Sequence, residues 1–193
     1  MVPAGDPFGL VLRRPEIPSL REGPALIELA KTLHGLGVMP SYGPGDHGNL
    51  SCRTPTGCLF TARQTHKAAL RPDQLVSLVG YESTPRGACL MFDGKVLPST
   101  DALMHWRLYE RRADVGAIIH GHDPQALAKA VALELPVTHG SGLTNSVELI
   151  DEVVVLAAAH DYILLRDHGV VALGTTISAA LGLIRQWLDR ARL

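Results

Sequence analysis

Three histidines carry the first chemical suggestion in this chain. His120 and His122 close the segment Val115-Gly-Ala-Ile-Ile-His-Gly-His122, a short run of β type. In a strand, residues i and i+2 point to the same face, so the two imidazoles stand side by side, and Gly121 leaves the other face unobstructed. Neutral imidazole is a common zinc ligand, and two on one face supply half of a tetrahedral shell. Two strand histidines satisfied by ordinary hydrogen bonds fit the same spacing. His168 lies between Asp167 and Gly169 in the tight connection of an otherwise apolar hairpin, within reach of a neighbouring strand end. Three imidazoles with one open position form the shell of a catalytic zinc. A turn histidine without a special role is the alternative.

Asp101 follows Pro98-Ser99-Thr100 and precedes His105 by one helical turn, so the two share a helix face. A carboxylate there is either a general base beside the metal or a charge favoured by the helix dipole. Gly48, Asn49, Arg63, Lys67, Ser99 and Thr100 are candidate substrate binders for an anion. Glycine lets backbone N–H groups line a concavity, hydroxyls add donors, and arginine offers a bidentate fork. For Arg63 and Lys67, a solvated loop face is the competing reading. His34, His47, His66, His139 and His160 show no distinguishing spacing.

The elements that must position these residues follow from pattern. Apolar residues at helical spacing predict a helix over 22–36, with Gly35 and Gly37 as its stop. Residues 40–49 read as loop, and 50–53 and 58–61 as two strands around Thr54-Pro-Thr-Gly57. A further strand pair is expected near 75–79 and 88–92, with Asp93-Gly94 as a turn. Thr100 reads as the N-cap of a helix to Arg112, and Asp123-Pro124 opens another. Asn145-Ser-Val-Glu148 has capping-box form before a helix to about Ala159. Strands at 162–165 and 170–173 and an amphipathic helix over 177–192 complete a central mixed sheet with helices packed on it. Pro3, Pro7, Pro15 and Pro18 make residues 1–21 an extended N-terminal arm, and 22–193 a single domain.

Composition removes several classes. Among 193 residues, 46% are hydrophobic and 19% charged, which is a globular profile, and the net charge of −1 without a like-charge block offers nothing to nucleic acid or an anionic membrane. Three cysteines without close spacing argue against a disulfide framework or a cysteine-type zinc site, and for a reducing compartment. The N-terminus lacks the basic-then-apolar order of a signal peptide, so a cytoplasmic protein is expected.

Taken in order, the motifs resemble the class II aldolase/adducin family, the group of fuculose-phosphate aldolase, rhamnulose-phosphate aldolase and ribulose-phosphate 4-epimerase. Gly48-Asn-Leu-Ser51 is similar to the family's Gly-Asn-Val/Leu-Ser. Leu97-Pro-Ser-Thr-Asp101 with His105 is similar to its Pro-Ser-Ser-Glu/Asp segment, and residues 115–123 to its His-x-His strand. Leu164-Leu-Arg-Asp-His-Gly169 is similar to the segment supplying a third zinc histidine. The resemblance runs from about residue 24 to 188.

It implies a three-layer α/β/α domain with a mostly antiparallel mixed sheet, assembled as a homotetramer with sites at subunit interfaces. It also implies one Zn2+ per chain on His120, His122 and His168, with Asp101 where the aldolases have a glutamate acid/base and the epimerases an aspartate. Zinc would act as a Lewis acid on a small phosphorylated or carboxylated hydroxy-ketone, stabilising the enediolate formed on carbon–carbon cleavage. The expected function is therefore an aldolase-type lyase of carbohydrate metabolism. Epimerisation, dehydration or decarboxylation on the same metal are the alternatives, and a non-catalytic adducin-like interaction domain is a further one.

Two departures stand out. Thr61-Ala-Arg-Gln64 replaces the family's Thr-Pro-Ser/Thr-Gly, exchanging a glycine and a hydroxyl for Arg63, a fork suited to phosphate or carboxylate. The aldolases place a proton-donating tyrosine in a tail beyond the last helix, whereas the tyrosines here are Tyr42, Tyr81, Tyr109 and Tyr162. The second proton carrier is left unassigned.

Overall fold

Period-2 alternation along the strands, with both sets of side chains apolar, requires cover on both faces of the sheet. The computed structural model describes residues 8–18, 21–84, 87–140 and 146–193. The chain begins with β1 (Gly9–Arg14), α1 (Gly23–Gly35) and the short strands β2 (Ser41–Tyr42) and β3 (Gly45–Asp46). There follow β4 (Asn49–Thr54), β5 (Gly57–Thr61), β6 (Leu75–Thr84) and β7 (Gly87–Asp93), then α2 (Ala102–Arg111) and β8 (Ala117–Gly121). The last elements are α3 (Pro124–Ala128), α4 (Val147–Leu156), β9 (Tyr162–Leu165), β10 (Gly169–Gly174) and α5 (Ile177–Arg192).

The central sheet has eight strands in the order β1-β7-β6-β5-β4-β8-β10-β9. Every neighbouring pair is antiparallel except β1 with β7. Val170 and Ala172 of β10 pack with α1 and α5 through Leu29, Leu33, Ile184 and Leu188. Val171 and Leu173 pack with α2 and α4 through Leu103, Leu108, Ile150 and Val153. The result is a three-layer α/β/α domain with a mostly antiparallel mixed sheet.

Several boundaries differ from the sequence reading. Residues 9–14 of the expected arm are extended, but they form the edge strand of the sheet, with Phe8 and Leu10 buried beside it. Their partner strand lies far along the chain, so no local pattern announces the pairing. The expected loop over 40–49 contains a small antiparallel ladder, Ser41 with Asp46 and Tyr42 with Gly45. The β6–β7 pair extends well past 79. Helix α2 starts later than expected: its N-cap is Asp101 rather than Thr100, and no side chain caps it. For α4, Asn145 lies outside the described residues; Ser146 is the cap, accepting from the Leu149 N–H at 3.2 Å, so Glu148 is not the reciprocal partner of a capping box.

Candidate active site

Strand β8 aims the first of the three histidines. Ile118 packs in the α2/α4 layer, so His120, two residues on, faces the same side of the sheet, toward the start of α2. His122 follows just beyond the strand, its N–H bonded to the Val38 carbonyl at 2.7 Å. Between β9 and β10 the chain turns through Asp167 at φ 59°, which swings His168 back over the end of β8. Two glycines permit this crowding. A Cβ on Gly169 would lie 2.3 Å from the Gly121 carbonyl oxygen, and one on Gly48, at φ +79°, would lie 2.6 Å from that of His120.

The imidazoles of His120, His122 and His168 converge, with one candidate ligand nitrogen from each within 4.8 Å of the others. The donor set suits a divalent cation. His120 Nδ1 lies 3.0 Å from the Val170 carbonyl oxygen, which fixes that nitrogen as the N–H and leaves Nε2 its lone pair. Burial holds His120 and His122 down to about 3, so both are neutral at physiological pH. His168 Nδ1 is buried without a hydrogen-bond partner among the described residues.

Asp101 is buried, makes no capping bond, and accepts a hydrogen bond from Asn49 Nδ2 at Oδ2. The same oxygen lies 3.9 Å from His120 Nε2, so the carboxylate faces the imidazoles rather than its own helix terminus. Asn49 is opposite His120 in the β4–β8 ladder and also donates to Ser99 Oγ at 3.2 Å. Beneath Asp101, Ser51 joins His105 Nδ1 and the Tyr109 hydroxyl, each at 2.8 Å. Burial pushes His105 down to about 3, keeping it a neutral part of this network.

The three histidines, Asp101 and Asn49 line one cleft of about 330 Å3, together with Gly48, Arg63, Lys67, Ser99 and Thr100. Arg63 is not a bare fork, because its Nε–H donates to the Pro98 carbonyl at 2.9 Å and ties the 61–64 turn to the segment before α2. Lys67 is no solvated loop residue: it is 2% exposed, its ammonium donating to Thr65 O and Oγ1 at 3.1 and 3.0 Å. The cleft also contains Tyr42, Asp46, His47 and Gln64, which sequence spacing did not single out. Tyr42, Asp46 and His47 arrive through the β2–β3 ladder, for which glycine-rich composition gave only loop.

Burial, only partly offset by the nearby Asp46 carboxylate, brings the Lys67 ammonium down from 10.5 to about 8. The folded pKa lies below the unfolded one, so between these values the unfolded chain binds more protons and stability rises with pH. The full difference is worth about 3 kcal/mol, in the direction of a cost at neutral pH. Lys67→Met is therefore expected to unfold at higher urea than the wild type at pH 7, with that gap closing by pH 10. Equal urea midpoints at pH 7 would mean that the amine is solvated.

Residues 25–192 match the family described as the Class II Aldolase and Adducin N-terminal domain. The chain is 29% identical over 180 residues to a Rhodospirillum rubrum protein named 5-methylthioribulose-1-phosphate/5-deoxyribulose-1-phosphate aldolase, covering 86% of this chain and 75% of that one. It is 33% identical over 104 residues to the methylthioribulose-1-phosphate dehydratase of Pseudomonas savastanoi pv. phaseolicola, covering 52% of this chain and 45%, just under half, of that relative. The L-fuculose-1-phosphate aldolase of Thermus thermophilus superposes with a TM-score of 0.72 at 24% identity, over 89% of this chain and 91% of the other. At that identity, the likeness establishes the fold alone.

Proposed function

The chain belongs to the class II aldolase and adducin family, and from that premise we propose a divalent-metal lyase acting on a small phosphorylated or carboxylated hydroxy-ketone. The observation that carries this reading is the convergence of three imidazoles beside a buried carboxylate that faces them. His120, His122 and His168 would hold one zinc ion per chain. When bound, zinc supplies Lewis acidity to the ketone and hydroxyl oxygens of the substrate. A scaffold domain has no use for this arrangement, which is why catalysis is preferred over an adducin-like role.

The remaining work falls to the chain itself. Asp101, steadied by Asn49, accepts at Oδ2 the proton that the substrate releases. Lys67, Arg63, Ser99, Thr100 and the backbone at Gly48–Asn49 hold the anionic group and so fix which carbon meets Asp101. A buried ammonium favours an anion that can neutralise it, and phosphate, with its three acceptor oxygens, suits a point charge beside hydroxyls. The enzyme would be cytoplasmic, in keeping with Cys52, Cys58 and Cys89, all free thiols. Assembly as a homotetramer belongs to the same reading.

Carbon–carbon cleavage is the leading outcome. Dehydration is the second reading, favoured by the relatives named dehydratase. Both are tested by incubating zinc-loaded protein with 5-methylthioribulose 1-phosphate and weighing the products. Cleavage yields two carbonyl fragments, one of them phosphorylated; dehydration yields a single phosphate ester lighter by one water. Unchanged substrate, here and with fuculose 1-phosphate, would remove the sugar-phosphate lyase reading.

A further inference from the structure

Whichever bond breaks at the proposed centre, one group must take a proton and another must give one. On the reading above, Asp101 takes it. Few side chains in the cleft are placed to give one. The Asp46 carboxylate is buried and already accepts from Ser41 Oγ at 2.7 Å, the Lys67 N–H and His66 Nδ1, with His34 Nδ1 3.1 Å away. These partners outweigh its burial and hold it below the ordinary carboxylate range. The Lys67 ammonium is engaged by Thr65. The His47 ring lies between those of Tyr42 and His122, each 4.5 Å away between centroids.

Tyr42 differs from Asp46 and Lys67, which are engaged, and its ring lies on the far side of His47 from His122. It lines the cleft and is 36% exposed, and its hydroxyl has no hydrogen-bond partner among the described residues. Its only described ring contact is the one with His47, one ring removed from a proposed metal ligand. The backbone carrying it is nevertheless anchored on several sides. The β2–β3 ladder is closed by Ser41 and Asp46, the Asp46 N–H donates to Thr65 O at 3.1 Å, and the His47 N–H to Pro40 O at 2.9 Å. Gly45 lies so close to the Gln64–Thr65 backbone that a Cβ would come within 2.8 Å of it. A buried carboxylate thus fixes a six-residue segment (Ser41–Asp46) whose tyrosine contributes little to the core. That is a large structural commitment for a phenol with no hydrogen-bond partner among the described residues.

The geometry points to Tyr42 as the second proton carrier of this centre. In carbon–carbon cleavage, Asp101 takes the hydroxyl proton, the bonding pair stays with the ketone-bearing fragment, and Tyr42 gives its phenolic proton to that carbon. In dehydration, Asp101 takes the C–H proton, the freed pair forms the carbon–carbon double bond, and Tyr42 protonates the departing hydroxyl, which leaves as water. In either case Asp101 returns its proton to water, and water reprotonates the phenolate. No outside reagent is consumed.

Tyr42→Phe keeps the ring against His47 and removes only the proton. With 5-methylthioribulose 1-phosphate as probe, kcat is expected to fall about 100-fold or more, with KM within roughly threefold and metal content unchanged. A Tyr42→Phe kcat near wild type, or a rise in KM alone, would overturn the assignment. Asp101→Asn measured alongside separates the two failures. If only Tyr42→Phe stays active, Tyr42 is merely a wall; if both variants do, or if the wild type turns over nothing, the proposed centre itself is wrong.

Discussion

A His120→Ala/His168→Ala double variant is expected to lose its bound divalent metal, and with it all measurable turnover, while the wild type purifies with close to one ion per chain. The proposed shell rests on three imidazoles whose candidate ligand atoms lie within 4.8 Å of one another, and the double change leaves only His122. A lone imidazole has no chelate partner, whereas loss of a single hydrogen bond to a metal ligand already weakens metal affinity about 10–100-fold. The fold should survive. His168 sits in a turn, and removing His120 leaves the Val170 carbonyl without one side-chain donor, a cost of about 1–3 kcal/mol. Elemental analysis of both proteins, with circular dichroism as the check on folding, decides the matter. Retention of stoichiometric metal by the variant would place the ion elsewhere, and a wild type that takes up no added zinc would end the metal-lyase reading.

Asp101→Asn should reduce kcat about 10²- to 10⁴-fold, the usual worth of a positioned general base, while KM and metal content change little. The substitution is nearly isosteric, and an amide oxygen can still accept from Asn49 Nδ2, so position is kept and basicity is removed. Because no capping bond depends on this side chain, the variant should not lose the ~1 kcal/mol that a lost N-cap costs. Steady-state kinetics on the substrate identified by product analysis, paired with a urea melt, tests both halves. Turnover within a few-fold of wild type would take Asp101 out of the mechanism. Loss of stability matching the loss of activity would return it to a structural role.

The parts of this site legible in the sequence are those that depend on local periodicity. His120 takes the strand face already marked by Ile118, two residues earlier, because the strand period is two; His122, expected in the same strand, follows just beyond its end. His168 was legible as a tight-turn residue between two apolar strands, and the turn is where the structure has it. The strands of β4, β5, β9 and β10 and the helices α1 and α5 follow from patterns a few residues long.

What escaped the sequence shares one property: it depends on partners distant in the chain. Nothing near Lys67 indicates that Asp46 approaches it, so a solvated loop face competes with the anion-binding reading in sequence although the residue is 2% exposed. The direction of the Asp101 carboxylate is set by Asn49, which the β4–β8 ladder brings opposite His120. The β2–β3 hairpin, with Tyr42 and His47, is held by a buried carboxylate and by the close approach of Gly45 to another turn.

The sequence by itself therefore determined the chemical inventory and the layering: three imidazoles, a carboxylate, a set of candidate anion binders, and two apolar faces on one sheet. Residue type and spacing act over a few ångströms along the chain, and that range suffices for these features. Only the tertiary structure decided that the carboxylate faces the imidazoles, that an ammonium is buried beside them, and that a phenol is anchored at the same cleft. Those relations are made by strand pairings and loop contacts between remote segments, where burial and hydrogen bonding, rather than local propensity, select the conformation.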